Sequence, residues 1–134
     1  MNDCIFCKII DGTIPSFKIH ENEKFLVLLD RFPSCLGHVL VIPKKHAENI
    51  FELDSETASE IFSLVADVAK RMKDVLPLEG LNILQNNGVA AQQTVPHFHI
   101  HLIPRYTDDD ITIHWDSIDP KIENFEKTIA TLQF

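Results

Sequence analysis

The longest regular feature of the chain is a helical stripe. Ile61, Leu64, Val65, Val68, Met72 and Val75 recur at helical spacing between Asp54 and Leu76, with Asp54 or Ser55 placed to cap the start and Pro77 to stop the end. This stripe reads as a core face. Pro120 opens a second helix that carries Ile122, Phe125, Ile129 and Leu132 on one side, and Asp3 to Asp11 predicts a short first helix ended near Gly12. Elsewhere the apolar runs are short and strand-like. Phe17 to Glu21 and Lys24 to Asp30 predict a hairpin turning at Glu21-Asn22-Glu23, and His38 to Ile42 predicts a strand stopped by Pro43. Leu81 to Gln85, His97 to Ile103 and a short Ile111 to Trp115 complete the predicted strands. Strands on both sides of one long helix, without the βα alternation of a parallel sheet, predict an α+β fold with a mainly antiparallel sheet. Pro and Gly are scattered, with no repeat and no linker.

Composition narrows the function classes. With 134 residues, 45% hydrophobic and 24% charged, the chain is expected to form one soluble domain over 1–134 with a core of its own. Twenty acidic against twelve basic residues give a formal charge of -8, so no footprint for a nucleic-acid polymer is present. A small phosphate is compatible with that charge, because backbone N–H groups or a helix N-terminus hold one without net positive charge. No window approaches the ~18 apolar residues of a membrane span, and no basic segment leads into an apolar one, so a cytoplasmic protein without membrane association is expected. Cys4, Cys7 and Cys35 are too few, and odd in number, for a disulfide scaffold.

Seven histidines stand out, three of them in the segment His97-Phe98-His99-Ile100-His101-Leu102-Ile103. In a strand the three imidazoles share one face, and Phe98, Ile100 and Leu102 share the other. Three readings compete. The plainest is a half-buried strand whose polar face is merely rich in histidine, although Thr, Ser or charged residues usually fill that role. A single zinc held by all three is opposed by geometry: at ~3.3 Å per residue His97 and His101 lie about 13 Å apart, against Zn–N bonds of about 2.0–2.1 Å. The third reading is nucleophilic catalysis, in which the central His99 attacks phosphorus and His101 assists near the leaving group. Imidazole, with an ordinary pKa of about 6.5, is largely neutral at pH 7 and needs little activation.

The heptad, preceded by Gln93-Thr94-Val95, resembles the signature of the histidine triad (HIT) superfamily of nucleotide hydrolases and transferases. Ile5-Phe6, Lys8-Ile9-Ile10, Ile14-Pro15, Asp30, His38, Val41-Ile42-Pro43-Lys44-Lys45-His46 and Asn86 extend the resemblance over about residues 4–105. It implies the HIT fold and a covalent mechanism. His99 would attack the α-phosphorus of a purine nucleotide, forming a nucleotidyl-histidine that water hydrolyses, while its other ring nitrogen donates to a backbone carbonyl. Asn86, Gln93, Thr94 and His101 would contact the phosphate or leaving group, with backbone N–H groups around Gln93 and Thr94 assisting. Asp30 would bind ribose hydroxyls, Ile5, Phe6, Ile9 and Leu28 would sandwich the purine, and His38 would support from behind. Family members pair as homodimers through sheets and long helices, which implicates Ile61 to Val75 in an interface.

Two positions depart from the pattern. Arg31 stands where phosphoramidase members often have an apolar residue, and Gln92 where many have Gly, a change expected to stiffen the phosphate loop. The leaving group is divided between two branches. Thr94 and Leu102-Ile103-Pro104-Arg105 lean toward dinucleoside polyphosphate hydrolases, whereas the compact length and the Ile5-Phe6 beginning lean toward cleavage of nucleoside phosphoramidates, which is favoured. A nucleotide-binding scaffold with incidental hydrolysis is the rival from another class.

Cys4-x-x-Cys7 alone is half of a tetrahedral site. In many bacterial-type HIT proteins a similar pair joins two histidines around structural zinc, and the matching positions here are His46 and His97. That assignment also spares His97 from catalysis. Cys35 is expected to be a packed small residue, Asp108-Asp109-Asp110 a solvated loop, and Lys44 and Lys45 surface residues. His114 and Trp115 lie in a C-terminal region that shapes leaving-group preference in the family.

Overall fold

A computed structural model describes residues 3–134, leaving Met1 and Asn2 outside the description. The elements run α1 (Ile5–Ile10), β1 (Lys18–Glu21), β2 (Phe25–Leu29), β3 (Val39–Pro43), α2 (Ser55–Val75), β4 (Gly80–Leu84), β5 (Ile100–Arg105) and α3 (Ile122–Leu132), with a 3₁₀ turn at Val89–Ala91. All five strands join one antiparallel sheet in the order β1-β2-β3-β5-β4. The fold is α+β, as the pattern of apolar positions predicts.

Both faces of the central strands are covered, which is why β2 and β3 are apolar without interruption. On one face Phe25, Val27, Val39, Val41, Phe98, Ile100 and Leu102 pack against Ile61, Val65 and Met72 of α2. On the other, Leu26, Leu28, Leu40 and Ile42 pack against Cys4, Phe6 and Ile9 of the α1 region. The period of two therefore sorts each strand between two helices. Asp54 caps α2 by accepting from the Thr57 N–H at 2.8 Å, and α2 ends as Leu76 turns extended ahead of Pro77.

Several boundaries differ from the sequence expectation. Pro43 is the last residue of β3, paired with Phe25, because a terminal strand position tolerates the missing N–H. His97, Phe98 and His99 precede β5, which starts at Ile100 and runs on through Pro104 to Arg105. Ile111 to Trp115 is not a strand. Its approach is held instead by Arg105, which bonds both carboxylate oxygens of Asp109 at 2.9 Å, Asn82 Oδ1 at 2.7 Å and the Ile111 carbonyl at 2.7 Å. The expected C-terminal helix is present as α3, with Ile122, Phe125, Ile129 and Leu132 all exposed. No helix among the described residues is long and apolar enough to cross a membrane.

Candidate active site

The short helix α1 lies across the face of β2 and β3 and leaves a cavity of about 530 Å³ beside the histidine segment. Ile5, Phe6 and Ile9 line it from α1 and Leu28 from β2, making the apolar end that a flat base requires. Asp30, Thr94, His99 and His101 line the polar end. The Phe6 ring stands edge-on to His99, with centroids 5.1 Å apart. Asn86 and Gln93 are not among the lining residues. Sequence reasoning missed Ile14 to Phe17 and Phe32 as parts of the wall. Their only signal is the hairpin itself, since the Leu29 N–H bonds the Phe17 carbonyl at 2.9 Å and so draws the start of β1 alongside the cavity. Arg31 lies there too, its guanidinium 5.2 Å from the centroid of the Phe32 ring.

His99 is buried, and its Nδ1 lies 2.7 Å from the carbonyl oxygen of His97. A carbonyl only accepts, so Nδ1 carries the hydrogen and Nε2 keeps its lone pair. Burial holds the His99 pKa below the ordinary histidine value, so the neutral form with a free Nε2 prevails at pH 7. His101 follows one pleat on, its ring 4.9 Å from that of His99. Burial first, then the neighbouring His99 and His38, bring its pKa down to about 4. Behind it, His38 Nε2 is 2.8 Å from His101 Nδ1, and Asp30 Oδ2 is 3.5 Å from that His38 nitrogen. Asp30 is itself oriented by the Phe32 N–H, which bonds Oδ1 at 2.9 Å.

The loop between β4 and the histidines has a bracing residue where the sequence suggested a phosphate ligand. Gln93 Oε1 accepts from the Gly88 N–H at 2.7 Å, while Nε2 donates to the Glu48 and Val95 carbonyls at 2.7 and 2.9 Å. Its own N–H is bonded to the Gly88 carbonyl at 3.1 Å. Gln93 thus shapes the loop and presents Thr94. Gln92 adopts the left-handed conformation (φ 68°, ψ 27°), where glycine is favoured.

A second cluster lies on the far side of His97. The Cys4 and Cys7 sulfurs lie 3.3 and 3.6 Å from His97 Nδ1, Cys7 Sγ lies 3.5 Å from His46 Nδ1, and the two ring nitrogens are 3.1 Å apart. Tetrahedral ligands at about 2.3 Å for sulfur and 2.0–2.1 Å for nitrogen stand roughly 3.3–3.8 Å from one another, so the four donors fit a zinc ion. His97 Nε2 donates to the Pro43 carbonyl at 2.7 Å, which leaves Nδ1 as the lone pair a metal needs. Burial, followed by the adjacent Cys4 sulfur, pushes the Cys7 thiol up to about 11, so that this thiol ionises readily only beside a cation. The fit is local as well, for the Cys7 N–H reaches Cys4 Sγ at 3.4 Å across the first turn of α1. Cys35 is separate, donating to the Pro104 carbonyl. His114 and Trp115 are exposed and do not line the cavity.

The chain is similar to known proteins over most of its length. The HIT domain family model matches residues 11–108. A crystal structure of a HIT family protein from Bacillus anthracis is 46% identical and superposes with a TM-score of 0.92, covering 98% of this chain and 95% of that one. The adenosine 5'-monophosphoramidase of Schizosaccharomyces pombe is 43% identical over 85% of this chain and 84% of its own length. A Zn-bound histidine triad family protein from Mycobacterium smegmatis is 34% identical with a TM-score of 0.78, covering 97% of this chain and 92% of that one.

Proposed function

The chain belongs to the HIT family, and from that premise we propose that it is a nucleotide hydrolase that cleaves a purine nucleoside 5'-phosphoramidate, or a related bond between AMP and a leaving group, through a covalent nucleotidyl-histidine. The observation that carries this reading is the free Nε2 of His99, set between an apolar slot and a polar end by the bond from Nδ1 to the His97 carbonyl. Nε2 forms its bond to phosphorus as the bond to the leaving group breaks, and the departing amine takes up a proton from water. Water then cleaves the phosphorus–histidine bond, releasing the mononucleotide and restoring the free ring. Thr94 and His101 donate hydrogen bonds to the phosphoryl oxygens, Asp30 holds ribose hydroxyls, and Ile5, Phe6, Ile9 and Leu28 enclose the base.

The relative named as a monophosphoramidase supports cleavage of a P–N bond. Turnover of adenosine phosphoramidate and of diadenosine tetraphosphate tests the choice. The expected kcat/KM is higher on the phosphoramidate; the reverse order would assign the protein to the dinucleoside polyphosphate branch, and no turnover of either would leave a binding module.

Structural zinc on Cys4, Cys7, His46 and His97 belongs to the same reading, supported by the fit of the four donors and by the zinc-bound relative. When bound it supplies a closed four-ligand cross-link. The residues themselves join the start of α1, the segment after β3 and the residue that orients His99. A homodimer is also proposed. An apolar cleft of about 640 Å³, lined by Leu64, Val68 and Val75 of α2 with Ile19, Val27 and Val39 of the sheet, is the surface that a second copy would cover. The three cysteines are unpaired, in keeping with a cytoplasmic setting.

A further inference from the structure

We propose that Ser34 is a positioning residue for the site: acting through His38, its backbone N–H holds His101 in the tautomer that carries hydrogen on Nε2, so that His101 works as a hydrogen-bond donor and neither as a base nor as a metal ligand. The inference rests on the hydrolase reading for its catalytic consequence, but the tautomer itself is a property of the free protein.

Three contacts fix the tautomers. The Ser34 N–H, which can only donate, lies 3.1 Å from His38 Nδ1, and the Ser34 hydroxyl reaches the same nitrogen at 3.2 Å. Nδ1 of His38 must therefore accept, and the ring hydrogen of a neutral His38 sits on Nε2. That Nε2 is 2.8 Å from His101 Nδ1, so His101 accepts there in turn and its own hydrogen is on Nε2. Burial favours the neutral form of both rings against the opposing pull of Asp30, whose Oδ2 lies 3.5 Å from His38 Nε2 and 3.9 Å from His101 Nδ1. A donor aimed at developing phosphoryl charge needs no proton transfer to be effective.

The same logic separates two clusters that look alike by composition. Asp30, His38 and His101 bring their ligand atoms within 4.8 Å of one another, as do Cys4, Cys7, His46 and His97. In His97 the outward nitrogen donates to the Pro43 carbonyl and the inward one is left with a lone pair. In His38 the outward nitrogen accepts from Ser34 and the inward one carries hydrogen, which blocks coordination. One cluster is wired for a metal and the other for hydrogen-bond donation.

Imidazole 15N NMR on the full chain, zinc-loaded and free of nucleotide, reads the tautomers directly. Wild-type His38 and His101 are each expected to show a protonated Nε2 and an unprotonated Nδ1. Ser34 is exposed, so Ser34→Pro removes the N–H at a surface position; it is expected to give mixed tautomers at both rings and to lower kcat about tenfold with KM nearly unchanged. Should Ser34→Pro fail to fold, His38→Leu and His38→Gln replace it. The leucine removes the donor to His101 and scrambles its tautomer, whereas the glutamine amide supplies an N–H and restores it. Hydrogen on Nδ1 of wild-type His101, or a His101 spectrum unchanged in Ser34→Pro or His38→Leu, would overturn the proposal. Because the spectra need no substrate, they fail or succeed independently of the hydrolase reading, which is judged by wild-type turnover.

Discussion

The carbonyl oxygen of His97 lies 2.7 Å from Nδ1 of His99, so the backbone of one histidine orients the ring of the next but one. The ring of His97 meanwhile faces Cys4 and Cys7. A single bend ahead of β5 thereby ties His99, the proposed nucleophile, to the cysteine cluster through one residue. Whatever holds His97 in place also holds the hydrogen bond that leaves His99 Nε2 free.

Removing the attacking nitrogen tests the chemistry. His99→Ala is expected to lower turnover by about a thousandfold or more while nucleotide binding stays measurable by calorimetry, because the apolar slot is untouched. Near-normal turnover in this variant would sink the covalent mechanism.

Metal removal separates structure from chemistry. Chelation, or Cys4→Ala, is expected to lower Tm by about 10 °C or more, with zinc content by mass spectrometry falling from one ion per chain. Folded metal-free protein should keep much of its activity. Unchanged zinc in Cys4→Ala would rule out the ligand set, and activity lost in proportion to metal while the fold persists would favour catalytic zinc.

Stability should fall on the acid side. The His101 pKa is about 4 in the folded chain and about 6.5 when unfolded. Below pH 6.5 the unfolded chain takes up a proton that the folded one refuses; the resulting loss grows as pH falls to about 4, then levels off. At about 1.4 kcal/mol per pH unit the loss is about 2 kcal/mol by pH 5, with none above pH 7. Urea midpoints at pH 7 and pH 5 should fall less in His101→Asn than in the wild type; equal falls would contradict the assignment.

The loop ahead of the histidines is a backbone test. Gly88 has φ 89° and ψ 157° with open space where a side chain would begin. Gly88→Ala should cost about 1–3 kcal/mol from backbone strain alone. Gln92→Gly, at a left-handed position, should be neutral or stabilising by up to about 1 kcal/mol. Chemical denaturation measures both, and an alanine tolerated at 88 would refute the loop conformation.

Pairing of two copies is checked by light scattering. The wild type is expected to be a dimer and Val68→Asp, in the apolar cleft on α2, a monomer. A monomeric wild type would refute the interface.

Much of this was legible in the chain. Alternation over His97 to Ile103 correctly put Phe98, Ile100 and Leu102 on the face packed against α2, while the imidazoles, of which His97 and His99 are buried too, lie outside that cluster. The separation of His97 from His101 along an extended segment already argued for different partners. The start of β5 was not legible: the Phe98 N–H bonds the Ala47 carbonyl, a tertiary contact that keeps this stretch out of the ladder. Gln93 is a similar case. An amide side chain suits a phosphate oxygen or a backbone carbonyl equally well, and the backbone partners it takes at Gly88, Glu48 and Val95 come together only in the folded chain. The Ile14 to Phe17 wall has no local mark, since its place depends on how β1 pairs with β2.

The sequence by itself determined the helices and the two-faced strands and nominated the side chains proposed to meet phosphate or metal, because these follow from periodicity and from donor chemistry within a few residues. Tertiary structure decided which nitrogen of each histidine carries the hydrogen. That choice is made by partners far away in the chain: Pro43 is 54 residues from His97, and His38 is 63 residues from His101. An imidazole offers two nearly equivalent tautomers, and one hydrogen bond, formed only on folding, selects which ring nitrogen keeps its lone pair.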